Sequence, residues 1–437
     1  MNIPESNLPR VVVIGGGFGG LQIARGLRDK PFQLVLLDRH NYHTFQPLLY
    51  QVASAGLEAD SIAYPIRKAF EGQKDFYFRI AEVQKVNREE KFLETSEGTL
   101  SYDYLIIATG SKTNFFGNEG VAKYGMPMKT IPQALDLRHF ILQNFEHALL
   151  TKDVEERDRL MNFVIVGGGP TGTELAGAIA ELKNHVLPHD YPDLDFRRMN
   201  IHLVEASPKL LAAMSDKSGQ KANDYLSKLG VQIWTNTALE SYDGTTMKTN
   251  NGKTIQTRCL IWAAGVQGAM IDGLPEESIV RGNRIQVNEF NQVVGDENIY
   301  AIGDISAMIT KKNPKGHPML AQPAIQQGRL LAKNLVRLQN NQKLKPFKYL
   351  DKGSLATIGR NKAVADLPGL HFGGFVAWMI WMFVHLMSLI GFKNKAVTFV
   401  NWVWGYINYD RSERLIIRPY KRGIEPIIER KVQAEQS

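Results

Sequence analysis

The chain has 437 residues, of which 44% are hydrophobic and 22% are charged. This composition is typical of a globular protein and excludes a disordered or fibrous one, and the length predicts two or three domains. The net charge of +8 is unevenly spread: the residues from Lys311 onward include 21 Lys and Arg against 7 Asp and Glu, a net +14, which leaves −6 for the rest. A basic C-terminal third fits a nucleic acid or an anionic membrane surface, and the neighbouring tryptophans favour the membrane.

Cysteine usage excludes further classes of protein. Cys259 is the only cysteine, so neither an intrachain disulfide nor a redox-active dithiol can form. We expect Cys259 to be a small buried residue. The first residues, Met1 to Pro9, show no charged and then apolar leader, so we expect no export from the cytoplasm.

Two copies of one supersecondary unit organise the chain. The β-branched run Val11 to Gly15 leads into the first glycine loop, Gly15 to Gly20 (GGGFGG), and Phe163 to Gly167 leads into the second glycine loop, Gly167 to Gly172 (GGGPTG). Both loops fit G-x-G-x-x-G between a buried parallel strand and a helix. The predicted helices are Leu21 to Arg28 and Thr173 to Leu182. This repeat predicts an α/β fold with two Rossmann-like dinucleotide-binding domains.

Each glycine of the motif has its own physical task. The first makes a tight turn, the second lets the backbone approach a pyrophosphate, and the third lets the helix pack on the strand. The helix that follows offers N–H donors and its positive dipole end. In this order the glycines are Gly15, Gly17 and Gly20 in the first copy and Gly167, Gly169 and Gly172 in the second.

Each copy also has a second strand that ends in an acid, Leu34 to Asp38 and Ile201 to Glu205. Such an acid accepts hydrogen bonds from a ribose diol. Because it also repels a 2′-phosphate, Glu205 favours NADH over NADPH. Glycines that serve only as turn formers would leave both acids unexplained. The extra length of the second copy, about Lys183 to Met199, is predicted to be an inserted loop.

Three further strands complete the pattern: Tyr104 to Gly110 (YLIIATG), Leu260 to Gly265 (LIWAAG) and Asn298 to Asp304 (NIYAIGD). With the glycine loops, they resemble the flavoprotein reductases that have two dinucleotide-binding domains, the pyridine nucleotide-disulfide reductase-like superfamily. The resemblance implies that the first loop and Asp304 hold FAD and that the second loop holds NADH. Hydride passes readily between these two ring systems.

Within that superfamily the chain is most similar to the type II NADH:quinone oxidoreductases, from about Arg10 to Arg418. The more specific elements are HNYHTFQPLLYQVA, His40 to Ala53, and AQPAIQQG, Ala321 to Gly328. The resemblance places Gln322 and Gln326 at the quinone, whose carbonyls an amide can bind without adding charge. From the residues alone, the preferred interpretation of this i,i+4 pair is a polar helix face.

The resemblance implies a full set of ligand contacts, with Asp38 on the FAD ribose and Asp304 on its ribityl or pyrophosphate part. The expected FAD contacts are Gly15, Gly16, Gly17, Phe18, Gly19, Gly20, Asp38, Arg39, Thr44, Val83, Ala108, Thr109, Gly110, Gly303, Asp304, Ala321 and Gln322. The expected NADH contacts are Gly167, Gly169, Pro170, Thr171, Gly172, Glu174, Glu205, Ala264 and Gly265. The expected quinone contacts are Gln322, Gln326 and Lys393. No metal is expected. FAD is expected to be non-covalent, with His43 left open as an attachment point.

Glu174, at the start of the helix after the second loop, is predicted by the same resemblance to be the catalytic acid that couples hydride arrival to quinone chemistry. A first-turn glutamate favoured by the helix dipole is the alternative. The predicted domains are residues 1–120 and 289–370 for the two parts of the FAD-binding domain, 121–288 for the NADH-binding domain, and 371–437 for a membrane-anchoring region.

The last region contains two apolar runs, Phe372 to Ile390 and Ala396 to Ile407, separated by Lys393 and Lys395. The first is nearly long enough to span a bilayer, but tryptophans with lysines describe helices in the headgroup zone equally well. The resemblance favours monotopic attachment to the cytoplasmic side of the inner membrane. We also expect a homodimer, an expectation that no motif supports. A single span and a soluble dimer interface are the alternatives.

The predicted reaction passes hydride from NADH to FAD and then two electrons to a membrane quinone. No chain of ionisable residues crosses an apolar segment, so we predict no proton pumping. The single cysteine excludes a disulfide reductase and a sulfide:quinone oxidoreductase. A soluble reductase that feeds a protein electron carrier and a non-catalytic NADH sensor remain as alternatives.

Overall fold

The structure, a computed structural model, describes residues 1–409, 411 and 413–421. The chain forms two compact units. The first comprises Met1–Thr44, Ala63–Asn114 and Val266–Lys352, and the second comprises Phe45–Ile62, Phe115–Gly265 and the chain from Gly353 onward. The cuts lie elsewhere than the predicted domain limits, since residues 45–62 and 353–370 fall in the second unit and 266–288 in the first. The predicted domain assignment stays a prediction.

A five-stranded parallel sheet forms the core of the first unit. Its strands are largely buried Val, Leu and Ile, as expected for a parallel sheet covered on both faces. In spatial order they are Ile299–Ala301, Tyr104–Ile107, Arg10–Ile14, Gln33–Asp38 and Phe76–Ile80. The helices of this unit are Phe18–Gly26, Ile66–Ala69 and Ala321–Gln339, and the first packs against the last. The predicted strands of the first copy are therefore confirmed.

Small antiparallel sheets complete the first unit. They pair Tyr42–Thr44 with Ala63–Pro65; Val83–Asn87 with Phe92–Thr95 and Gly98–Ser101; and Ser111–Thr113 with Val266–Gly268. A further mixed sheet contains Ile279–Val280, Arg284–Gln286 and Ser306–Ala307.

The second unit repeats the parallel sheet. Its strands, in spatial order, are Met126–Pro127, Cys259–Trp262, Asn162–Val166, Asn200–Val204 and Gln232–Trp234. Cys259 is buried in this sheet, as predicted. The helices are Leu49–Ala53, Glu119–Tyr124, Ile131–Leu150, Val154–Met161, Pro170–His185, Leu187–Asp190, Asp216–Lys228, Phe375–Ser388 and Phe392–Asn408. Two three-stranded antiparallel sheets join them: Leu239–Tyr242, Thr246–Thr249 and Thr254–Gln256, and Ser354–Thr357, Ala363–Leu367 and Leu370–Gly373.

The predicted inserted loop at Lys183 to Met199 is wrong in part. The helix of the second glycine loop runs on to His185, and a short helix, Leu187–Asp190, follows directly. Pro188 does not prevent helix here, because it falls in the first turn, where its missing N–H has no partner to lose. Pro192, the other proline of this segment, lies beyond the end of the short helix.

The apolar run Phe372 to Ile390 is not one continuous helix. Its first residues end a strand, and Gly374, with a φ of +95°, starts the 14-residue helix Phe375–Ser388. Gly391, with a φ of +84°, then redirects the chain into Phe392–Asn408. We call these two the tryptophan helices. In the part of the chain that the structure describes, every helix is too short or too polar to cross a membrane.

Candidate active site

The first glycine loop joins a buried strand to a helix of the first unit. Gly15 has a φ of +106°, and a Cβ there would lie 2.3 Å from the carbonyl oxygen of Ala108. A Cβ at Gly20 would lie 1.9 Å from the Gly15 oxygen, whereas a Cβ at Gly17 would meet no described atom within 4 Å. Packing therefore requires the outer glycines. The middle one leaves the open backbone that a dinucleotide pyrophosphate needs, so the loop fits FAD.

The second glycine loop has the same geometry. Gly167 has a φ of +112°, and a Cβ there would lie 2.6 Å from the Ala263 backbone. A Cβ at Gly172 would lie 1.9 Å from the Gly167 oxygen, and a Cβ at Gly169 would again meet no described atom within 4 Å. Pro170 begins the helix, where its missing N–H is not needed. This loop fits a second dinucleotide.

The two strand-end acids hold the loops in matching ways. Asp38 accepts the backbone N–H of Gly16 through Oδ2 at 2.6 Å and that of His40 through Oδ1 at 2.7 Å. Glu205 accepts the N–H of Gly168 at 2.5 Å and that of the residue two positions after itself at 2.6 Å. Each acid thus lies against the glycine loop of its own unit, where the ribose of a dinucleotide belongs.

Asp304 lies at the carboxyl end of the sheet in the first unit, where ligands of open α/β sheets bind. Its Oδ2 accepts a hydrogen bond from the Ser111 hydroxyl at 2.5 Å. The N–H of the preceding Gly303 donates to Oε1 of the buried Gln327 at 2.8 Å. Gly110, with a φ of +71°, has no described atom within 4 Å of a built Cβ. The predicted residues of these strand ends are therefore brought together.

His43 hydrogen-bonds to the backbone of the first glycine loop. Its Nδ1 lies 3.0 Å from the carbonyl oxygen of Gly16, and because a carbonyl only accepts, Nδ1 carries the hydrogen. Burial lowers the pKa of His43 to about 4, so the ring is neutral. Phe18 contacts the ring edge-on at 5.1 Å, and Thr44 ends the same short strand.

Three further residues predicted to contact FAD, Arg39, Val83 and Thr109, differ in the contacts that fix their side chains. Arg39 forms an exposed ion pair with Glu82 at 3.5 Å, a contact that contributes little to stability. Val83 is half-buried at the start of its strand. Thr109, by contrast, donates its hydroxyl to the Ala269 carbonyl at 2.7 Å.

The predicted quinone glutamines bind backbone of their own unit. Gln326 donates to the carbonyl of Leu350 at 2.9 Å and accepts that residue's N–H at 3.0 Å. Gln322 accepts the N–H of Lys352 at 3.2 Å. Both lie in the first turns of Ala321–Gln339. These amides tie a neighbouring segment to the helix, and their quinone role stays a prediction.

Glu174 is almost fully buried in the second unit, with 7% of its surface exposed. Burial raises the pKa of its carboxyl to about 8, opposed in part by the N–H of Thr357, which donates to Oε1 at 3.3 Å, and by the nearby Trp381 indole. The indole nitrogen of Trp381 makes no hydrogen bond with any described residue. It therefore acts on the Glu174 carboxyl only as a nearby dipole. The helix begins at Pro170, so Glu174 lies beyond the first turn, and the helix dipole acts mainly within that turn.

Beside Glu174 lies a cavity of about 140 Å³, called here the Glu174 cavity. Its walls come from segments far apart in the chain, and the tryptophan helices supply much of its aromatic surface. The lining includes Tyr50, Gln51, Glu174, Trp381, Trp402 and Tyr406. At one edge, Arg411 pairs with Glu181 at 2.8 Å and donates to the Ser54 hydroxyl at 3.1 Å. A buried acid, a phenol and flat aromatic rings thus line one cavity.

The opposite face of the tryptophan helices is apolar and exposed. Phe392 is 86% exposed and Phe383 is 66% exposed. Further exposed apolar side chains on these helices are Val376, Met379, Met387, Phe399, Val400, Trp404 and Ile407. Lys393 is exposed beside Phe392, whereas Lys395 donates to the Met387 carbonyl at 2.9 Å. An apolar surface of this extent marks an interaction site.

Comparison with known proteins places this arrangement in a family. Residues 9–328 match the pyridine nucleotide-disulphide oxidoreductase family, and residues 352–408 match the NDH2 C-terminal domain. The type II NADH:quinone oxidoreductase Ndh of Mycobacterium tuberculosis is 36% identical over 422 residues, covering 93% of this chain and 90% of that protein. The type II NADH:quinone oxidoreductase of Haemophilus influenzae is 32% identical over 394 residues, covering 82% of this chain and 87% of that protein.

The chain belongs to the type II NADH:quinone oxidoreductases. It is therefore a flavoprotein oxidoreductase that passes electrons from NADH to a quinone without pumping protons, as predicted. The solved structure of NDH2 from Plasmodium falciparum in complex with NADH has a TM-score of 0.84 to this chain at 24% identity, covering 94% of this chain and all of that one. At this identity the likeness confirms the fold.

Several wall residues of this oxidoreductase were not predicted. Tyr50 and Gln51 lie near the end of the His40 to Ala53 element, between Pro47–Leu49 and Val52–Ala53, and a polar pair between these apolar residues is a signal that could have marked them. Trp381 and Trp402 were interpreted only as membrane-facing, yet Trp381 is buried and both line the Glu174 cavity.

The remaining predicted NADH contacts lie around the second loop of the enzyme. Thr171 is exposed in the first turn of the helix, and the Ala264 Cα would lie 2.7 Å from a Cβ at Gly167. Gly265 follows directly and ends its segment of the second unit. These residues therefore lie close to the second glycine loop. Their contact with NADH stays a prediction.

Proposed function

We propose that the first glycine loop holds FAD non-covalently and that the second takes up NADH. The repeated loop geometry, in which an open middle glycine lies beside a backbone held by an acid, supports two dinucleotide sites. The assignment of FAD to the first follows the resemblance to the flavoprotein reductases with two dinucleotide-binding domains. Asp38 binds the FAD ribose, Asp304 its ribityl or pyrophosphate part, and Glu205 the NADH ribose. The bound flavin supplies the redox chemistry, accepting hydride from NADH and giving two electrons to the quinone.

Glu174 holds a proton for quinol formation in this proposal. A carboxyl with a pKa of about 8 keeps its proton at neutral pH and can release it to a base. Its burial in the Glu174 cavity excludes bulk water from that proton. Gln322 and Gln326 contact the quinone through their side-chain amides, which can each form more than one hydrogen bond. Lys393 contacts the quinone where it enters from the membrane.

The exposed face of the tryptophan helices rests on the lipid surface at the cytoplasmic side of the membrane. Two features support this. The face presents many exposed Phe, Val and Met side chains, and the residues from Lys311 onward carry a net charge of +14. Buried apolar area and attraction to anionic headgroups both strengthen such binding. The enzyme is proposed to act there as a homodimer.

The experiment starts from purified full-length protein with its native flavin content. We expect a yellow protein whose visible absorption bleaches when NADH is added without oxygen and returns when a short-chain quinone analogue follows. Acid precipitation should leave the flavin in the supernatant as FAD, since nothing covalent holds it. A protein that stays colourless after reconstitution with FAD, or a flavin that remains in the precipitate, would contradict the proposal.

A further inference from the structure

Three side chains beside Glu174 form a hydrogen-bonded row. The Trp402 indole N–H donates to Oε1 of Gln51 at 2.8 Å, and Nε2 of Gln51 donates to the Tyr50 hydroxyl oxygen at 2.8 Å. An indole N–H can only donate, so the amide must turn its oxygen to Trp402 and its nitrogen to Tyr50. The phenol therefore accepts from Gln51, and its own O–H is left to donate.

The Tyr50 O–H has a defined place but no acceptor among the described residues. The side chain is 5% exposed and lines the Glu174 cavity. Burial, and then the nearby Glu174, raise the pKa of the Tyr50 phenol well above its usual range, so it stays a neutral donor. A buried donor without an acceptor costs free energy, which a ligand that only accepts would recover.

The Glu174 cavity suits a flat ring with carbonyl oxygens. An apolar protein cavity of about 150 Å³ is large enough for a benzene ring, and this one measures about 140 Å³. Trp381 and Trp402 supply flat walls, and both come from the helices whose other face is apolar and exposed. The helices that wall the cavity are therefore the same ones whose exposed face is proposed to rest on lipid.

We propose that the Tyr50 hydroxyl donates a hydrogen bond to a carbonyl oxygen of the quinone headgroup, and that Trp402 fixes this orientation through Gln51. The proposal rests on the NADH-to-quinone activity set out above and adds a binding residue and a positioning residue to it. It also makes the quinone contact depend on the placement of a tryptophan helix, because Trp402 belongs to Phe392–Asn408.

The test compares Tyr50→Phe, Trp402→Phe and the double variant in the full-length flavin-loaded enzyme. Tyr50→Phe keeps the ring that packs on Trp381 at 6.4 Å and removes only the donor. We expect the KM for a short-chain quinone analogue to rise about tenfold, the effect of one hydrogen bond. The rate at which NADH bleaches the flavin in a single turnover should not change. Trp402→Phe should raise the same KM about threefold.

Trp402 acts through Tyr50, so the double variant should be no worse than Tyr50→Phe alone, which is the sign of one coupled unit. The control is Tyr242→Phe, which removes another buried phenol of the second unit, one that donates to the Thr257 carbonyl at 3.2 Å. It should leave the quinone KM unchanged. If Tyr50→Phe does not retain flavin, the threefold change in Trp402→Phe decides the question.

Two results would overturn the proposal. An unchanged quinone KM in Tyr50→Phe, with a shifted pH profile of flavin bleaching, would mean that the phenol serves Glu174 instead. An equal KM rise in Tyr242→Phe would mean a general loss of packing. A wild-type enzyme that is bleached by NADH but not reoxidised by the quinone would instead refute the function on which the proposal rests.

Discussion

Glu205 accepts the backbone N–H of Gly168 at 2.5 Å, so the acid that is expected to bind the NADH ribose also holds the loop beneath it. Asp38 and Gly16 repeat this relationship at 2.6 Å in the first unit. Each acid therefore shapes its loop, and in our proposal it also binds the sugar. A substitution that retains the acceptor oxygen and removes the charge separates these tasks.

Glu205→Gln retains an oxygen that can accept from Gly168 but no longer repels a 2′-phosphate or accepts strongly from a ribose diol. We expect the KM for NADH to rise about tenfold, near the roughly 1.4 kcal/mol of a charge-assisted hydrogen bond, and the preference for NADH over NADPH to fall. Steady-state kinetics with both coenzymes measure this. The matched Asp38→Asn variant should instead lose flavin absorbance. Flavin loss in Glu205→Gln would show that the two sites are reversed.

Alanine substitutions at two glycines of the second loop should affect different properties, one the stability of the fold and the other the binding of NADH. At Gly172 an alanine Cβ would lie 1.9 Å from the Gly167 oxygen, whereas at Gly169 it would meet no described atom within 4 Å. Gly169→Ala should keep the wild-type melting temperature but bind NADH at least tenfold more weakly, because the methyl group occupies the pyrophosphate space. Gly172→Ala should lower the melting temperature by several degrees. Thermal unfolding and NADH titration check both, and unchanged NADH affinity in Gly169→Ala would place the pyrophosphate elsewhere.

Glu174 should make the stability of the enzyme depend on pH. Its pKa is about 8 in the folded protein against 4.5 ordinarily, so between these values the folded state keeps a proton that the unfolded chain has released. The free energy of unfolding therefore falls as pH rises from about 4.5 to 8 and then levels off. The slope is roughly 1.4 kcal/mol for each tenfold drop in proton concentration.

Glu174→Gln cannot ionise, so its melting temperature relative to wild type should rise between pH 5 and about pH 8 and stay constant above that. Thermal unfolding at pH 5, 7 and 9 measures the difference. Glu240→Gln, at an exposed position of the same unit, is the control and should follow the wild type at each pH. A pH-independent difference for Glu174→Gln would mean that its carboxyl is already ionised in the fold.

The exposed face of the tryptophan helices should govern attachment to lipid. Replacing Phe383 and Phe392 together by serine removes two side chains that are 66% and 86% exposed, each worth roughly 1.5–3 kcal/mol when buried. We expect vesicle binding in a flotation assay to weaken at least tenfold while the melting temperature holds. Leu150→Ser, at an 81% exposed site outside these helices, is the matched control and should float like wild type. Equal flotation of all three proteins would exclude this face as the membrane surface.

Local patterns accounted for most of the fold. The strands before each glycine loop and the acids at Asp38 and Glu205 were predicted at their observed places, because a tight turn, a buried β-branched run and a strand-end acid need only neighbouring residues. The prediction failed where a choice depended on packing. The stretch after His185 continued as helix despite its prolines, and Gly374 and Gly391 divided an apolar segment that composition alone left continuous.

The sequence by itself determined two nucleotide-binding α/β units in one chain. The reason is local: the spaced glycines permit a tight turn between strand and helix that other residues forbid, and each unit's motif lies within a few dozen residues. Only the tertiary structure decided what surrounds Glu174. Tyr50, Thr357 and Trp402 line the cavity beside the acid and come from three distant segments of the chain. The burial that raises the Glu174 pKa is likewise a property of the packed unit, and no local pattern contains it.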